Sequence, residues 1–211
     1  MMGGKPAKQN TALQRAKARL AAECSRREIS SGQARQMLIR WLSKDSPPTE
    51  KQEKEIEEII SSLKKDKYMD DSRFARAFTR DKLRFSKWGP EKILRGLSDA
   101  GVDQSIAEEA VNQQEDLAIQ ILTDLLSKKR KDLGKRAERK AAEDHRKLKV
   151  LERQLKDSKE CYKQRASVQR KIYSLQTKLR NSSLQSKAAL VAFARTKGFP
   201  SKLIEKAIKD I

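Results

Sequence analysis

Apolar residues recur at every third or fourth position along most of the chain, with charged residues between them. This period is typical of amphipathic α-helices. It predicts one helix from Thr11 to about Cys24, after a flexible tail over residues 1–10. Two more helices are expected before Tyr68, and their apolar positions are Met37, Leu38, Trp41 and Leu42 in one and Ile56, Ile59, Ile60 and Leu63 in the other.

Helix-capping residues stand at the ends of these segments. Ser30 or Ser31 can begin the second helix by accepting a hydrogen bond from its first turn. Thr49 is followed by Gln52 three residues later, which is a capping-box pattern and begins the third helix. The local sequence therefore predicts where these helices begin, as well as that they form.

The stretch from Tyr68 to Gly101 holds five of the ten aromatic residues. Asp70 or Asp71 can cap a helix that is expected to run to about Lys87. Its rings fall on one face, which predicts that they are core. A second, shorter helix is expected from Pro90, because proline fits a first helical turn, to Gly101. The structural residues predicted here are Tyr68, Asp70, Phe74, Phe78, Phe85, Trp88, Gly89 and Gly101.

A weak internal repeat relates this stretch to the end of the chain. An offset of 97 positions places Gly101 on Gly198 and Val102 on Phe199. The same offset pairs further positions: Ile93 with Leu190, Leu94 with Val191, Leu97 with Ala194, Asp103 with Pro200, Ile106 with Leu203, Ala110 with Ala207 and Val111 with Ile208. Gly198 is therefore predicted to end a helix as Gly101 does. The pattern favours tandem helical modules that each need a neighbour to bury their apolar faces.

The composition indicates a class of partner. Of 211 residues, 49 are Lys or Arg and 29 are Asp or Glu, which gives a net charge of +20. Such a surplus attracts polyanions, and nucleic acid is the default one. Residues 128–187 hold 21 basic and 7 acidic residues, so +14 of the surplus lies there.

This basic segment has coiled-coil-like spacing of apolar residues in two registers. One register contains Leu148, Leu151, Leu155 and Tyr162, and the other contains Val168, Ile172, Leu175 and Leu179. Two antiparallel helices that turn near residues 157–159 would bring its ends together. The expected structure is a protruding helical hairpin over about 131–183, while partial disorder of its inner part, 128–147, is the alternative.

No pattern for catalysis, metal binding or membrane insertion stands out. Cys24 and Cys161 are far apart, His145 lies in a basic run, and Asp70 and Asp71 have no third acidic neighbour. There is no phosphate-binding glycine loop and no long apolar run. We therefore expect no enzyme, no catalytic residue, no metal, no cofactor and no membrane contact, in a soluble, cytoplasmic chain that is not exported.

The run of residues from Tyr68 to Val102 resembles the central module of the RecX family, bacterial regulators of the recombinase RecA. The resemblance rests on Tyr68, Asp70, Asp71, Arg73, Phe74 and Ala75, then on Trp88, Gly89, Ile93, Leu97, Gly101 and Val102. It implies an all-α fold of tandem three-helix repeats in an elongated curved stack. The repeats would cover 11–67, 68–112 and 113–211, and the hairpin inserted in the third repeat would make this a Bacteroidetes-like variant.

The resemblance also implies a function and partners. RecX proteins bind RecA and RecA–DNA filaments and mainly inhibit the ATPase and strand-exchange activities, which tunes homologous recombination, DNA repair and the SOS response. The expected partners are the RecA filament and single- or double-stranded DNA, with this chain as a monomer. Candidate contacts are the basic residues Arg26, Arg27, Arg73, Arg76, Arg80, Lys82, Arg84, Lys87, Lys92, Arg95, Lys128, Lys129, Arg130, Lys131, Lys135, Arg136, Arg139 and Lys140.

Three alternatives stay open at the level of sequence. Each basic face is a contact for polyanions or only a solvated surface. The chain is a RecA regulator or a stand-alone basic nucleic-acid-binding helical protein. A third possibility is a helical scaffold that dimerises through the hairpin.

Overall fold

The computed structural model describes residues 6–43, 47–157, 162–180 and 182–210, and these are mostly helical with no strand among them. The described residues form ten α-helices in this order: α1 Pro6–Arg26, α2 Ser31–Leu42, α3 Glu50–Lys65, α4 Asp71–Asp81, α5 Pro90–Asp99, α6 Gln104–Asn112, α7 Glu115–Asp157, α8 Tyr162–Arg180, α9 Ser182–Thr196 and α10 Ser201–Lys209. The predicted all-α class is confirmed. The chain divides into two compact units, Met1–Ala118 and Ile119–Ile211. Within the described residues, no helix is apolar enough over a sufficient length to cross a bilayer.

Helices α1, α2 and α3 form the first module of the first unit. Their apolar stripes meet in one cluster, in which Leu20, Leu38 and Ile56 are fully buried. Ser30 caps α2, and Thr49 and Gln52 form the predicted capping box of α3. Helix α1 begins at Pro6 and not near Thr11, because a proline at the first helical position removes no intrahelical hydrogen bond.

Helices α4, α5 and α6 form the second module, and its first helix differs from the prediction. Helix α4 ends at Asp81, and residues Lys82–Ser86 form one π-helical turn. A π turn takes one more residue than an α turn, so the residues after it point to different sides. As a result Leu83 is buried, while Phe85 is 81% exposed. The prediction that Phe85 belongs to the core is wrong.

The remaining aromatic residues of this module lie against its helices. Phe74 is buried and stacks on the half-buried Phe78, with ring centroids 5.7 Å apart. Gly96 on α5 leaves room for these rings, since an added Cβ would lie 3.0 Å from Phe78 and 3.4 Å from Trp88. Tyr68 is different, because its ring is exposed.

The two modules of the first unit are joined by a polar contact between the start of α2 and the second module. The Ser30 hydroxyl donates to the Ala100 carbonyl at 2.5 Å. Asp71 accepts from the backbone N–H and the hydroxyl of Ser31, at 2.7 and 2.6 Å. Gly32 faces Gly101 so closely that a Cβ on Gly32 would lie 2.6 Å from the Gly101 Cα. We call this contact, made by Ser30, Ser31, Gly32, Asp71, Ala100 and Gly101, the module joint.

Within the second unit, α9 and α10 repeat the geometry of α5 and α6. Gly101 and Gly198 both have positive φ, at 69° and 83°. The N–H of Val102 bonds to the Leu97 carbonyl at 3.1 Å, and that of Phe199 bonds to the Ala194 carbonyl at 3.2 Å. The internal repeat predicted from the offset of 97 residues therefore extends to the backbone hydrogen bonds.

Helix α7 runs without a break from Glu115 into the basic segment. It is continuous through residues 128–147, where partial disorder was the alternative. Helix α8 follows it, and residues of both helices line one groove. The turn predicted near residues 157–159 lies mostly outside the described residues, as does Cys161, and the side chains of Leu155, Tyr162 and Leu179 lie outside them too.

Candidate functional site

A basic surface surrounds the π-helical turn of the second module. Seven of the predicted contact residues lie here, on α4, on the π turn and on the first turns of α5. We call them the cationic turn: Arg76, Arg80, Lys82, Arg84, Lys87, Lys92 and Arg95. Because α4 and α5 bury Phe74, Ile93 and Leu97 on their other faces, the core fixes the backbone that carries these charges.

Trp88 organises two of these cations. The Lys82 ammonium lies 4.7 Å from the centre of the Trp88 ring and 5.1 Å from that of Phe78. The Lys92 ammonium lies 4.6 Å from the Trp88 ring centre. Cation–π attraction of this kind holds flexible lysine side chains beside the ring. The arrangement concentrates positive charge next to the π turn.

The π turn itself ends in an unusual backbone conformation. Lys87 has φ 54°, in the left-handed region that residues other than glycine rarely adopt. Its N–H and that of Trp88 both bond to the Lys82 carbonyl, which closes the turn. Phe85 projects from this turn into solvent between Arg84 and Lys87 in sequence. The site thus combines an exposed aromatic ring with a surrounding set of cations, and the sequence pattern had assigned that ring to the core.

Several predicted contact residues are already paired with acidic groups. Arg73 donates to Glu28 at 2.7 Å and to the Tyr68 carbonyl at 3.3 Å, and its bond to Glu28 raises the pKa of the Arg73 guanidinium. Arg26 and Arg27 lie 3.7 and 3.9 Å from Glu23. Arg73 therefore links the two modules, while the exposed Arg76, Arg84 and Arg95 have no ion pair within the described part of the chain.

A second group of predicted contacts lies on α7 in the other unit. It is the basic run of Lys128, Lys129, Arg130, Lys131, Lys135, Arg136, Arg139 and Lys140. At about 100° per residue, all of these except Arg130 lie on one half of the helix circumference. Lys129 is partly buried, with its ammonium 5.0 Å from the centre of the Phe193 ring. The others are exposed.

The paired aspartates before α4 have separate structural roles. Asp70 caps α4 by accepting from the N–H groups of Ser72 and Arg73. Asp71 belongs to the module joint and also pairs with Lys64 at 2.9 Å. Burial raises the pKa of the Asp71 carboxyl, but the hydrogen bonds from Ser31 and Lys64 outweigh it, so the pKa is lower than usual.

The remaining reactive residues do not form a site. Burial, together with the nearby Glu28, raises the pKa of the Cys24 thiol and keeps it protonated. His145 is exposed, whereas its neighbour Asp144 is buried. No group of His, Cys, Asp and Glu that could hold a metal occurs among the residues that the structure describes.

Comparison with known proteins assigns part of the chain to a family. Residues 70–111 match the family described as RecX, second three-helix domain. The chain is also 43% identical over 61 residues to the regulatory protein RecX of Oceanobacillus iheyensis, covering 29% of this chain and 22% of that one. Over 102 residues it is 34% identical to the regulatory protein RecX of Chromobacterium violaceum, covering 48% and 60%. Residues 70–111 of the chain therefore belong to the family of the second three-helix domain of RecX.

Two solved RecX structures share the fold. A crystal structure of RecX from Lactobacillus salivarius has a TM-score of 0.59 at 20% identity, covering 95% of this chain and 97% of that one. A second, of regulatory protein RecX, has a TM-score of 0.54 at 19% identity and covers 100% and 83%. In sequence, this chain spans about a fifth and three fifths of the two RecX relatives that it matches.

The RecX match and the cationic turn cover the same residues. The segment 70–111 contains α4, the π turn, α5 and α6, so it includes Phe85 and every member of the cationic turn. The basic run on α7 lies beyond it. Sequence reasoning missed Ser31 and Gly32, because their partners are about forty or more residues away, and it missed Lys64, because its partner Asp71 lies on the next helix. A glycine in the first turn of α2 was the one local sign of a close backbone approach.

Proposed function

We propose that this chain regulates RecA by binding RecA–DNA filaments and restraining their recombinase, ATPase and strand-exchange activities. The family supports the choice of partner, and the cationic turn supports contact with nucleic acid. Such a regulator would tune homologous recombination, DNA repair and the SOS response in the cytoplasm. It would act as a monomer, by binding alone and without bond chemistry of its own.

The observation that carries this proposal is the exposed Phe85 ring on the π turn, whose helices carry the cationic turn. Guanidinium and ammonium groups bind phosphate oxygens and position a protein on nucleic acid. An exposed aromatic ring adds stacking on an unpaired base, which is worth about 1–3 kcal/mol. Phe85 and Arg84 are adjacent, so a base and its phosphate could be bound together. The left-handed backbone at Lys87 costs about 1–2 kcal/mol, and such strain is common at functional sites.

Restraint follows if the chain binds one state of the filament better than the other. A ligand shifts an equilibrium only by its difference in affinity for the two states. Phe85 and the cations favour DNA strands whose bases are accessible over fully paired duplex. Binding of this kind would hold the filament in a conformation that does not complete strand exchange.

The test is DNA-dependent ATP hydrolysis by RecA in the presence of the full chain. Phe85→Ala and Arg84→Glu should each raise the concentration needed for half-inhibition by about tenfold, the effect of losing one stacking or phosphate contact. Lys54→Glu changes the net charge as Arg84→Glu does, but on the exposed side of α3, and should leave inhibition unchanged. If all three variants inhibit RecA as well as the unchanged chain does, the cationic turn is not part of the contact surface.

The rival is a stand-alone nucleic-acid-binding protein, and the concentration of charge favours it as the second candidate. Binding to bare DNA would then be tight and steeply salt-dependent. A salt titration with and without RecA separates the two proposals. If RecA leaves the DNA affinity unchanged and strand exchange is unaffected, the rival is correct.

A further inference from the structure

The groove between α7 and α8 is a second surface that could bind a partner. It has a volume of about 900 Å³ and lies wholly within the second unit. Val150 and Leu151 of α7 and Leu175 of α8 form its apolar part. Val150 is 55% exposed, although it points into the groove. Two helices alone leave this apolar strip in contact with water.

The rest of the groove lining is basic. Its charged members are Arg146, Lys147, Arg170, Lys171 and Lys178, and no acidic side chain in the described region lines it. Lys147 pairs with Glu143 on its own helix at 2.6 Å. The other four cations leave a positive margin on both sides of the apolar strip.

The chemistry of the groove selects one kind of occupant. A second copy of the chain would bring residues 128–187 with their +14 surplus against the same charges, so repulsion disfavours it. Nucleic acid would find cations but no aromatic ring in the groove on which a base could stack. A helix with an apolar stripe and acidic flanks satisfies both parts of the lining.

We propose that the groove between α7 and α8 binds an acidic amphipathic helix of a partner protein. The apolar stripe of that helix would cover Val150, Leu151 and Leu175, and its Asp and Glu residues would pair with the basic margin. The lining of α7 extends from residue 146 to 154, about 12 Å at 1.5 Å per residue. That length matches two to three helical turns, which is the usual reach of helix-in-groove recognition. The site is additional to the RecA contact and does not depend on it.

The test uses the full chain and a fluorescent peptide of about 18 residues, long enough to form a helix. The peptide has Leu at positions i, i+4, i+7 and i+11 and Glu at most others. A scrambled peptide of the same composition, with Leu residues on all sides, is the control. We expect the amphipathic peptide to bind in the micromolar range and the scrambled one about tenfold more weakly, because only the first presents a continuous apolar stripe.

Variants of the chain locate the binding site. Leu175→Asp and Val150→Asp place a negative charge in the apolar strip and should each weaken binding by about tenfold or more. Gln176→Asp introduces the same residue on the exposed side of α8 and should have only a small effect. Lys171→Glu should weaken binding, and Lys149→Glu, which does not line the groove, is its matched control. Circular dichroism checks that each variant stays helical, and Val150→Asp removes no fully buried side chain.

Several results would overturn the proposal. The first is equal binding of the two peptides, or no binding at about 100 µM. The second is an oligo(dT) affinity that falls in Leu175→Asp and Val150→Asp, which would assign the groove to nucleic acid. The third is a concentration-dependent dimer in ultracentrifugation that the same variants abolish, which would assign it to a second copy.

Discussion

Asp71 shows how a single carboxylate can hold two modules together. It accepts two hydrogen bonds from Ser31 and pairs with Lys64, so its charged form is favoured in the folded chain. The sequence placed Asp71 before a helix, which made capping the natural interpretation. Asp70 makes that cap, and the two partners of Asp71 lie 7 and 40 residues before it in the chain. Local sequence rules describe caps well, but they contain no information about such distant partners.

The first prediction concerns Asp71 and pH. Its folded pKa is lower than its unfolded value of about 3.9, so its contribution to stability is present above about pH 4 and is lost as the pH falls through the folded pKa. Asp71→Asn should lower the free energy of unfolding by about 1–3 kcal/mol at pH 7 and by progressively less below pH 4. Urea unfolding from pH 7 to pH 3 measures this difference. Asp99→Asn, at an exposed site, is the control, and a difference for Asp71→Asn that does not change with pH would contradict the prediction.

The second prediction compares two glycines in helices. A Cβ at Gly32 would lie 2.5 Å from the Ala100 carbonyl oxygen, so Gly32→Ala should destabilise the chain by about 1–3 kcal/mol. A Cβ at Gly134 would meet nothing within 4 Å, so Gly134→Ala should stabilise α7 by about 0.5–1 kcal/mol. Urea unfolding followed by circular dichroism measures both. Equal effects of the two substitutions would mean that the module joint is not tightly packed.

At the level of elements, most helix boundaries followed from local chemistry. Ser30 and Thr49 cap helices where the sequence placed their starts, and Gly101 and Gly198 end helices as expected. The π turn at Lys82–Ser86 was not predicted, because one additional residue in a turn leaves no mark on the spacing of apolar residues before it. As a consequence, Leu83 is buried in the core and Phe85, which was expected there, is exposed.

The third prediction tests whether Leu83 is buried and Phe85 exposed. Leu83 is buried, so Leu83→Ala should cost about 2–5 kcal/mol of unfolding free energy. Phe85→Ala removes a larger side chain, but from the surface, and should cost less than about 0.5 kcal/mol. A continuous α-helix through Lys87 predicts the opposite order. Thermal or urea unfolding of the two variants distinguishes the two backbones, and a larger loss for Phe85→Ala would contradict the π turn.

At the scale of the whole molecule, the sequence predicted the all-helical class, the family and the repeat. Many residues contribute to each of these predictions. The helical class follows from the spacing of apolar residues, the family from the run of motif residues between Tyr68 and Val102, and the repeat from the offset of 97 residues. The contact surface is different. Its position depends on which cations are paired and on which side a ring points, and both depend on packing. Arg73 and Phe85 therefore changed their roles once the structure was known, while Arg84 and Lys92 kept theirs as proposed contacts.

The most direct test of the account is a crosslinking measurement at position 85. A photoreactive benzoylphenylalanine replaces Phe85 in the full chain, and the same group at Lys54 serves as the control site. On RecA–DNA filaments, the account predicts that the probe at 85 crosslinks to the DNA or to RecA and that the probe at 54 does not. The account would be contradicted if the chain labelled at position 85 still inhibits RecA but crosslinks to the filament no more than the chain labelled at position 54.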